Sequence, residues 1–331
     1  MAYLVTGGTG FIGSYVVRDL LNQGKEVVCL QRSGITPVSR LVVGEGQQDK
    51  LKIVQGDVSN TLQLFDVIRK YNIELIVHLG YILLSGGISE TQPAYALQVN
   101  CVGMNNLLEA SRLFGLRKVI WTSSIQAFGR VSEFYKEPIR DDDAIYMPDT
   151  MYGATKVLNE FMTKLYFEKF GVDSIGFRLG ITLGIGKPLG GGGAFTKFLN
   201  NVALGVPVTM AAPDANRTRY LSYVENISDL IVKACNAPMT KTRIFNAVEY
   251  QCSSRQLVEI MRKVNPKALV TIEEGVETKA ATLGGTPEPL LDMSGVQTEL
   301  GWKPKYSLEE AIIRIFNYFR QQEGLPLLTH P

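Results

Sequence analysis

Long hydrophobic runs, basic blocks and paired cysteines are all missing from this sequence of 331 residues. No stretch approaches the roughly 20 uninterrupted apolar residues that a membrane-spanning helix needs, so we predict no membrane association. The formal net charge of +2 comes without a basic segment or an aromatic-basic stripe, which argues against a nucleic-acid partner. Because no basic leader precedes the first strand pattern, we expect a cytoplasmic protein.

Histidine and cysteine are too few and too scattered for several kinds of catalysis. The two histidines are His78 and His330, and the four cysteines form no Cys-x-x-Cys pair. The sequence therefore predicts no metal site. It also lacks the histidine base that a Ser-His-Asp hydrolase needs, because His330 is one residue from the end of the sequence and His78 lies inside an apolar run.

Short apolar runs alternate with amphipathic stretches over the first 179 residues. The runs at 3–5, 27–30 and 75–77 are typical of strands, whereas 94–114 and 151–170 have helical patterns. Strands that are apolar throughout, with helices between them, are typical of a parallel sheet covered on both faces. The sequence therefore predicts an α/β protein with a doubly wound parallel sheet, the Rossmann fold.

The alternation breaks down after residue 179, where glycine and proline become frequent and four successive glycines occupy 190–193. We predict a smaller C-terminal α/β lobe that binds substrate. The predicted dinucleotide-binding domain comprises 1–179 and about 220–248, and the predicted lobe comprises about 180–219 and 249–331. Two interpretations of the glycine run stay open, the hinge of a lid over the ligand or a plain surface loop.

A glycine-rich turn follows the first strand. Gly7, Gly10 and Gly13 are spaced G-x-x-G-x-x-G, and an amphipathic helix begins near Phe11 and Ile12. Glycine permits the tight turn, the approach of a pyrophosphate to the backbone, and close packing of helix on strand. The start of the helix then offers free N–H groups to the phosphates. We predict a dinucleotide site at this turn.

The end of the second strand bears on the choice between NAD and NADP. It contains Gln31 and Arg32, without the Asp or Glu that usually binds the ribose 2′-hydroxyl of NAD. A missing carboxylate beside an arginine suits a 2′-phosphate, so the sequence favours NADP. NAD stays the alternative, because Arg32 would serve equally well as a cap on a surface turn.

Tyr152 and Lys156 stand four residues apart at the start of a predicted helix and therefore share one helical face. The ammonium, together with a positively charged nicotinamide, is expected to lower the phenol pKa from about 10 to about 7. Hydroxyls follow the strand at 118–121, at the edge of the sheet where parallel-strand proteins bind ligands. One serine there can donate to a substrate carbonyl while Tyr152 exchanges the proton.

This ordered set of motifs resembles the extended short-chain dehydrogenase/reductase family, which includes nucleotide-sugar epimerases and dehydratases and dihydroflavonol-reductase-like enzymes. The resemblance covers nearly the full length. Besides the glycine turn, it is carried by motifs at 55–58, 77–79, 99–103, 122–129, 152–156 and 300–304.

The resemblance implies further cofactor contacts. Asp57 and Val58 would receive the adenine, and Leu79 and Gly80 would line the cofactor after the fourth strand. Asn100 would steady the neighbouring backbone. The full set implied outside the glycine turn and the end of the second strand is Asp57, Val58, Leu79, Gly80, Asn100, Thr122, Tyr152 and Lys156.

The same resemblance indicates which serine is catalytic and which helices form a dimer. In the family's serine motif the catalytic hydroxyl lies five residues before the terminal glycine, which selects Ser124 over Ser123. Lys156 would also bind the nicotinamide ribose. The helices at 94–114 and 151–170 are the pair that usually forms the dimer in this family, so we expect a homodimer.

Departures from the family pattern bear on the reaction. Nucleotide-sugar enzymes carry an asparagine in a pattern like R-Y-F-N, whereas this strand ends Arg178-Leu179-Gly180, with glycine where that asparagine would stand. Dehydratases place an acidic pair after the serine, but Ser124 is followed by Ile125 and Gln126. We therefore predict an NAD(P)-dependent oxidoreductase that transfers hydride between nicotinamide and a small carbonyl or alcohol through Ser124, Tyr152 and Lys156.

The apolar stretch after the fourth strand suggests a partly hydrophobic substrate, with plain packing of the lobe as the alternative. Arg219 is either an anion ligand or a surface arginine beside a domain hinge. The predicted substrate contacts are Tyr81, Leu83, Ser85, Ser124, Gln126 and Arg219. Two other functions stay open: a nucleotide-sugar 4-epimerase with tightly bound NAD and, less favoured, a non-catalytic NAD(P)-binding regulatory scaffold, which would have no need of the catalytic triplet.

Overall fold

A computed structural model describes residues 2–32, 34–43, 48–83, 88–131, 135, 137–187, 193–212, 214–275 and 290–329. The strands are β1 (Ala2–Thr6), β2 (Glu26–Gln31), β3 (Leu51–Gln55), β4 (Ile73–His78), β5 (Lys118–Ser124), β6 (Ser174–Leu179), β7 (Ile181–Leu183), β8 (Val208–Ala212), β9 (Thr218–Tyr223), β10 (Ile244–Ala247), β11 (Tyr250–Ser253) and β12 (Val270–Glu274). The helices are α1 (Phe11–Asn22), α2 (Pro37–Val43), α3 (Thr61–Lys70), α4 (Ile88–Thr91), α5 (Pro93–Leu97), α6 (Gly103–Phe114), α7 (Met151–Phe170), α8 (Gly193–Leu204), α9 (Val224–Asn236), α10 (Ser254–Val264), α11 (Ser294–Thr298) and α12 (Leu308–Gln322).

A parallel sheet with strand order β10-β6-β5-β4-β1-β2-β3 forms the centre of the molecule. Every residue of β1 is buried, because this strand lies inside the sheet and helices cover both faces. One face packs against α1 and α9, and the other against α3 and α6. The predicted doubly wound fold is confirmed. Chain order reverses between β1 and β4, which is where such sheets open a crevice for ligands.

The predicted helix at 94–114 is helical but not regular. A π-helical turn at Gln98–Val102 joins α5 to α6, and it contains Asn100. Such wide turns frequently occur at functional positions, since they aim a side chain that a regular helix would aim elsewhere. Sequence periodicity did not predict this turn.

A second hydrophobic core lies between the later elements. It joins residues of α8, α10 and α12 with strands β7, β8, β9 and β12. The starts of α10 and α12 are fixed by capping boxes, Ser253 with Gln256 and Ser307 with Glu310. The domain boundaries drawn from the sequence stay a prediction. Among the described helices, none combines the length and apolar character needed to cross a membrane.

Candidate active site

The glycine turn lies against the loop that follows β4. Gly7 has φ +68°, and a Cβ there would stand 2.8 Å from the backbone of Leu79 and Gly80. At Gly13 a Cβ would overlap the carbonyl oxygen of Gly7, so α1 can start this close to the turn only with glycine at that position. The predicted placement of turn and helix therefore has a direct steric cause.

The start of α1 is open. Gly10 caps the helix without a side chain, and the first backbone bond of the helix runs from Ser14 N–H to Gly10 O at 2.9 Å. The N–H groups of Phe11, Ile12 and Gly13 precede that bond and have no carbonyl partner within the helix. This arrangement of N–H groups at the positive end of a helix dipole is suited to phosphate.

The end of β2 holds a buried donor. Gln31 is 7% exposed, and its Oε1 accepts from the hydroxyl of Thr9 in the glycine turn. Its Nε2 has no hydrogen-bond partner among the described residues. Arg32 is exposed, with its guanidinium carbon 5.2 Å from the centre of the Tyr95 ring. A buried amide donor without a partner is costly unless a ligand accepts from it.

The residues expected at the adenine are tied to the local backbone. Asp57 accepts from both the N–H and the hydroxyl of Ser59, each at 2.8 Å, so its carboxylate closes a turn. Val58 is buried against Gly103, and its carbonyl accepts from Asn106 at 3.0 Å. The contact of these residues with adenine stays a prediction.

The loop after β4 is fixed from two sides. Leu79 N–H donates to Thr6 O at 3.0 Å, and Gly80 N–H donates to Thr6 Oγ1 at 3.3 Å. From the π-helical turn, Asn100 accepts from Ile82 N–H at 2.7 Å and donates to Ile82 O at 2.9 Å. The unusual turn therefore places an amide that holds the loop by both of its backbone groups.

The structure brings Ser124, Tyr152 and Lys156 together at the carboxyl end of β5. Thr150 caps α7, so Tyr152 stands in the first turn and Lys156 in the next. The Tyr152 hydroxyl is hydrogen-bonded to Ser124, and Lys156 Nζ lies 5.3 Å from the Tyr152 ring centre. Ser123, by contrast, donates to Glu160 at 2.5 Å and belongs to a separate set of contacts.

Lys156 alone does not lower the Tyr152 pKa, and the lowering expected with a nicotinamide beside it stays a prediction. Burial raises the pKa of Tyr152 above its usual value, although the hydrogen bond from Ser124 acts the other way. Burial also lowers the pKa of Lys156 well below its usual range. Lys156 Nζ donates to Thr122 O at 2.7 Å and lies under the Tyr81 ring, and burial rather than its charge decides the Tyr152 pKa.

The predicted substrate contacts are dispersed. The Tyr81 ring lies tilted against His78, with the ring centres 4.2 Å apart, and its hydroxyl is buried without a described partner. Leu83 is exposed, whereas Ser85 lies outside the described residues. Gln126 N–H donates to Ser124 Oγ at 3.2 Å. Arg219 lies on β9, in the three-stranded sheet β11-β9-β7.

Arg219 is mostly buried and bonds to the start of α10. Its Nε donates to Ser254 Oγ at 2.6 Å, and burial lowers its pKa. Its role as an anion ligand stays a prediction. The glycine run at 190–193 lies almost wholly outside the described residues, so its interpretation as a lid hinge stays open.

A buried polar network behind β5 was missed from sequence. Arg178 and Glu160 are fully buried and form an ion pair at 2.8 Å. Glu160 also accepts from Tyr146 at 2.7 Å, and Arg178 donates to Asn246 at 3.1 Å. Two signals were available: an arginine inside the apolar run of β6, and a glutamate one turn after Lys156 on the same helix.

The fold and this crevice are those of Rossmann-type proteins. The chain belongs to the NAD dependent epimerase/dehydratase family, whose profile matches residues 3–247. This confirms the family resemblance inferred from the sequence.

Relatives include two curated UDP-glucose 4-epimerases. The protein from Mycolicibacterium smegmatis is 28% identical, with 97% of this chain and 99% of that protein covered. The protein from Lactobacillus helveticus is 26% identical, with 95% of each covered. Both relatives therefore align over nearly their whole length.

Similar solved structures support the fold. L-threonine dehydrogenase from Clostridium difficile has a TM-score of 0.82 and 24% identity, covering 97% of this chain and 98% of that one. UDP-glucose 4-epimerase from Thermotoga maritima has a TM-score of 0.78 and 23% identity, covering 98% of this chain and 100% of that one. One fold therefore carries proteins named for two different reactions.

Proposed function

We propose that the protein is an NAD(P)-dependent oxidoreductase of the extended short-chain type, acting on a small carbonyl or alcohol. The pairing of the Tyr152 and Ser124 hydroxyls, with Lys156 one helical turn away, is the observation that carries this proposal. Such a pair can exchange a proton with a substrate oxygen and hold that oxygen at the same time. A merely nucleotide-binding scaffold would have no need of this pairing.

The residues at the crevice fit a dinucleotide. The glycine turn has no room for a Cβ at Gly7 or Gly13, the start of α1 is open, and Gln31 presents a buried donor. When bound, the nicotinamide would supply or accept the hydride. Asp57, Val58, Leu79, Gly80 and Asn100 would shape the nucleotide end, and Thr122 would hold Lys156 in place through its carbonyl.

Tyr152 is the proposed proton donor. Because burial raises its pKa, the phenol is protonated at neutral pH and is ready to donate during reduction of a carbonyl. Ser124 would donate a hydrogen bond to the same oxygen. Lys156 would bind the nicotinamide ribose, as the family resemblance implies, and its ammonium would assist when the reaction runs toward oxidation.

We propose NADP as the preferred cofactor. Gln31 Oε1 already accepts from Thr9, whereas its Nε2 donor has no partner and is available to a ligand. A donor beside the Arg32 guanidinium suits a phosphate oxygen, whereas an NAD site usually presents an acceptor to the ribose hydroxyl. NAD is the alternative.

The proposed substrate is a small, partly hydrophobic molecule. Tyr81, Leu83, Ser85 and Gln126 are its proposed neighbours. The sugar-nucleotide asparagine is absent whichever way the strand is aligned, because counting from Arg178 places its position on Ile181 rather than Gly180. This absence favours the oxidoreductase over the epimerase.

A nucleotide-sugar 4-epimerase with tightly bound NAD is the second candidate. It is favoured by the curated UDP-glucose 4-epimerases among the relatives. Arg219 would then bind the substrate diphosphate from the lobe.

We also propose a cytoplasmic homodimer. Leu158, Phe161 and Leu165 are 46%, 46% and 44% exposed and form one stripe along α7. Val102 and Leu113 are exposed on the π-helical turn and α6, which packs against α7. Exposed apolar faces of this kind often bury themselves against a second copy.

Cofactor absorbance with a panel of aldehydes, ketones and UDP-sugars tests the proposed reaction. The expected result is NADPH consumption with small carbonyls, reduced at least about 1,000-fold in Tyr152→Phe while nucleotide affinity stays within about threefold. Nucleotide that co-purifies, with UDP-sugars interconverted without net cofactor turnover, would establish the epimerase instead. A fully active Tyr152→Phe would refute both catalytic versions.

A further inference from the structure

The segment after β7 folds back onto the glycine turn. Gly184 packs against Phe11 and Val224, and the carbonyl of Ile185 accepts from the Tyr15 hydroxyl at 3.0 Å. Gly186 packs so closely on Val38 that a Cβ there would lie 2.5 Å from that side chain. The segment is therefore fixed to α1 and α2, and it places Lys187 beside the start of α1.

The ammonium of Lys187 is poorly compensated where it lies. Its Nζ donates to Thr182 O at 2.6 Å and stands 5.8 Å from the centre of the Phe11 ring. Among the described residues, no carboxylate forms an ion pair with it. Burial lowers its pKa to about 8, which reflects the cost of keeping the charge out of water.

The position of this charge is the informative feature. The ring that the ammonium approaches belongs to Phe11, the first residue of α1, and the start of α1 is the positive end of a helix dipole. Two positive electrostatic features side by side, one partly buried and without an anionic partner, destabilise a chain unless an anion lies between them. Gln31, on another strand, supplies an independent buried donor without a partner at the same glycine turn.

We propose that Lys187 binds the diphosphate of the dinucleotide, closing over it from the substrate-lobe side while the start of α1 holds it from the sheet side. This inference rests on the proposed function. The diphosphate is the group with the right charge for both features, and the glycine turn is the place where the backbone leaves room for it. Lys187 would thus be a binding residue contributed from outside the glycine motif.

Calorimetric titration of Lys187→Met tests this assignment. Methionine keeps the apolar stem that packs near Phe11 and removes the charge. We expect ADP, NADH and NADPH each to bind about 10- to 100-fold more weakly, because one charge-assisted hydrogen bond to the diphosphate is lost. AMP, which lacks the diphosphate, should change less than about threefold. Lys187→Arg should recover most of the affinity.

Lys263→Met is the matched control, since Lys263 is exposed on α10 and pairs with Glu309. It should bind every nucleotide as the wild type does. Equal losses for AMP and ADP in Lys187→Met, or no loss at all, would overturn the assignment while leaving the proposed function intact. A wild-type protein that binds no dinucleotide would overturn both.

Labelling of the wild-type protein covers the case in which Lys187→Met does not fold. Its lowered pKa makes Lys187 react early with a trace of acetic anhydride near neutral pH, and mass spectrometry follows the modified peptide. Saturating ADP should reduce this labelling at least about fivefold, with AMP giving little protection. Unchanged labelling in ADP would refute the contact.

Discussion

The two sides of the crevice satisfy their polar groups in opposite ways. One side, the wall, contains the proposed catalytic residues and the network behind them, and most of its polar side chains bond to one another or to the backbone: Ser123, Ser124, Tyr146, Tyr152, Lys156, Glu160 and Arg178. The other side, the rim, is where we propose that the nucleotide binds; it consists of the glycine turn at 7–13, Gln31, Arg32 and Lys187, and it retains donors without a partner.

This difference separates what each side contributes. A satisfied network in a low-dielectric interior holds its geometry without a ligand, which is what proton transfer requires. Donors without a partner, in contrast, destabilise the chain when no ligand is bound. They form favourable hydrogen bonds only when an anion binds. Changes in the wall should therefore affect stability or turnover, whereas changes in the rim should affect nucleotide affinity.

The largest expected effect is on stability, from Arg178→Met in the wall. This substitution leaves Glu160 buried without its cation, and we expect unfolding free energy to fall by about 3 to 5 kcal/mol in urea denaturation. The double variant with Glu160→Met should recover much of that loss. Arg112→Met breaks an exposed pair with Glu109 and should cost below about 1 kcal/mol. Equal, small losses in both single variants would mean that the wall is not a tightly coupled network.

The next effect separates the two neighbouring serines. Ser124→Ala should lower kcat about 100- to 1,000-fold with little change in stability, because it removes the donor beside Tyr152. Ser123→Ala should instead lower stability by about 1 to 2 kcal/mol, because Glu160 loses a donor. Steady-state kinetics and thermal melts on both variants make this test. The opposite pattern would assign the catalytic hydroxyl to Ser123.

Local features of the site could be predicted from sequence. The glycine turn is specified within one strand, one turn and one helix, so its residues could be read in order. The separation of Tyr152 and Lys156 needs only helical geometry. The family resemblance then added the order of the remaining motifs and the choice of Ser124.

Long-range features could not be predicted in this way. The pairing of Glu160 with Arg178 depends on how α7 lies across β6, and the position of Lys187 depends on a segment that packs against α1 and α2. The pKa of Tyr152 depends on burial and on the contacts of the Lys156 ammonium. The spacing of the two residues along a helix reveals neither. These are tertiary facts, and they decide the electrostatics of the site.

The carboxyl group of Asp141, at the edge of the wall, differs from its neighbours because burial disfavours its ionised form. Asp141 accepts from Asn246 N–H at 2.5 Å, yet burial raises its pKa to about 7. In the unfolded chain this carboxyl ionises at lower pH. Its contribution to the free energy of unfolding is therefore greatest below about pH 4 and is lost as the pH rises toward 7. Asp141→Asn should therefore stabilise the protein at pH 8 by about 1 to 3 kcal/mol more than at pH 5.

Urea denaturation at the two pH values measures this difference. Asp142→Asn makes the same change of net charge at an exposed neighbour and serves as the control. If both variants respond alike, the effect is one of net charge and the burial of Asp141 is irrelevant. A loss of stability at pH 8 would show that the ionised carboxylate is needed by its neighbours.

The smallest expected effect lies at the rim and concerns cofactor choice. Arg32→Ala should weaken NADPH binding about tenfold and leave NADH within about twofold, because only NADPH carries the 2′-phosphate. Fluorescence titration of both cofactors measures the ratio of their affinities, with Arg40→Ala on α2 as an exposed control.

Gln31→Glu supplies an acceptor for a ribose hydroxyl and should shift the cofactor preference toward NADH. Lys187→Met should weaken the binding of NADH and NADPH alike. Arg32 would then distinguish the two cofactors, whereas Lys187 would not. If Arg32→Ala weakens the binding of NADH and NADPH equally, Arg32 binds the diphosphate rather than the 2′-phosphate. NAD would then be the preferred cofactor.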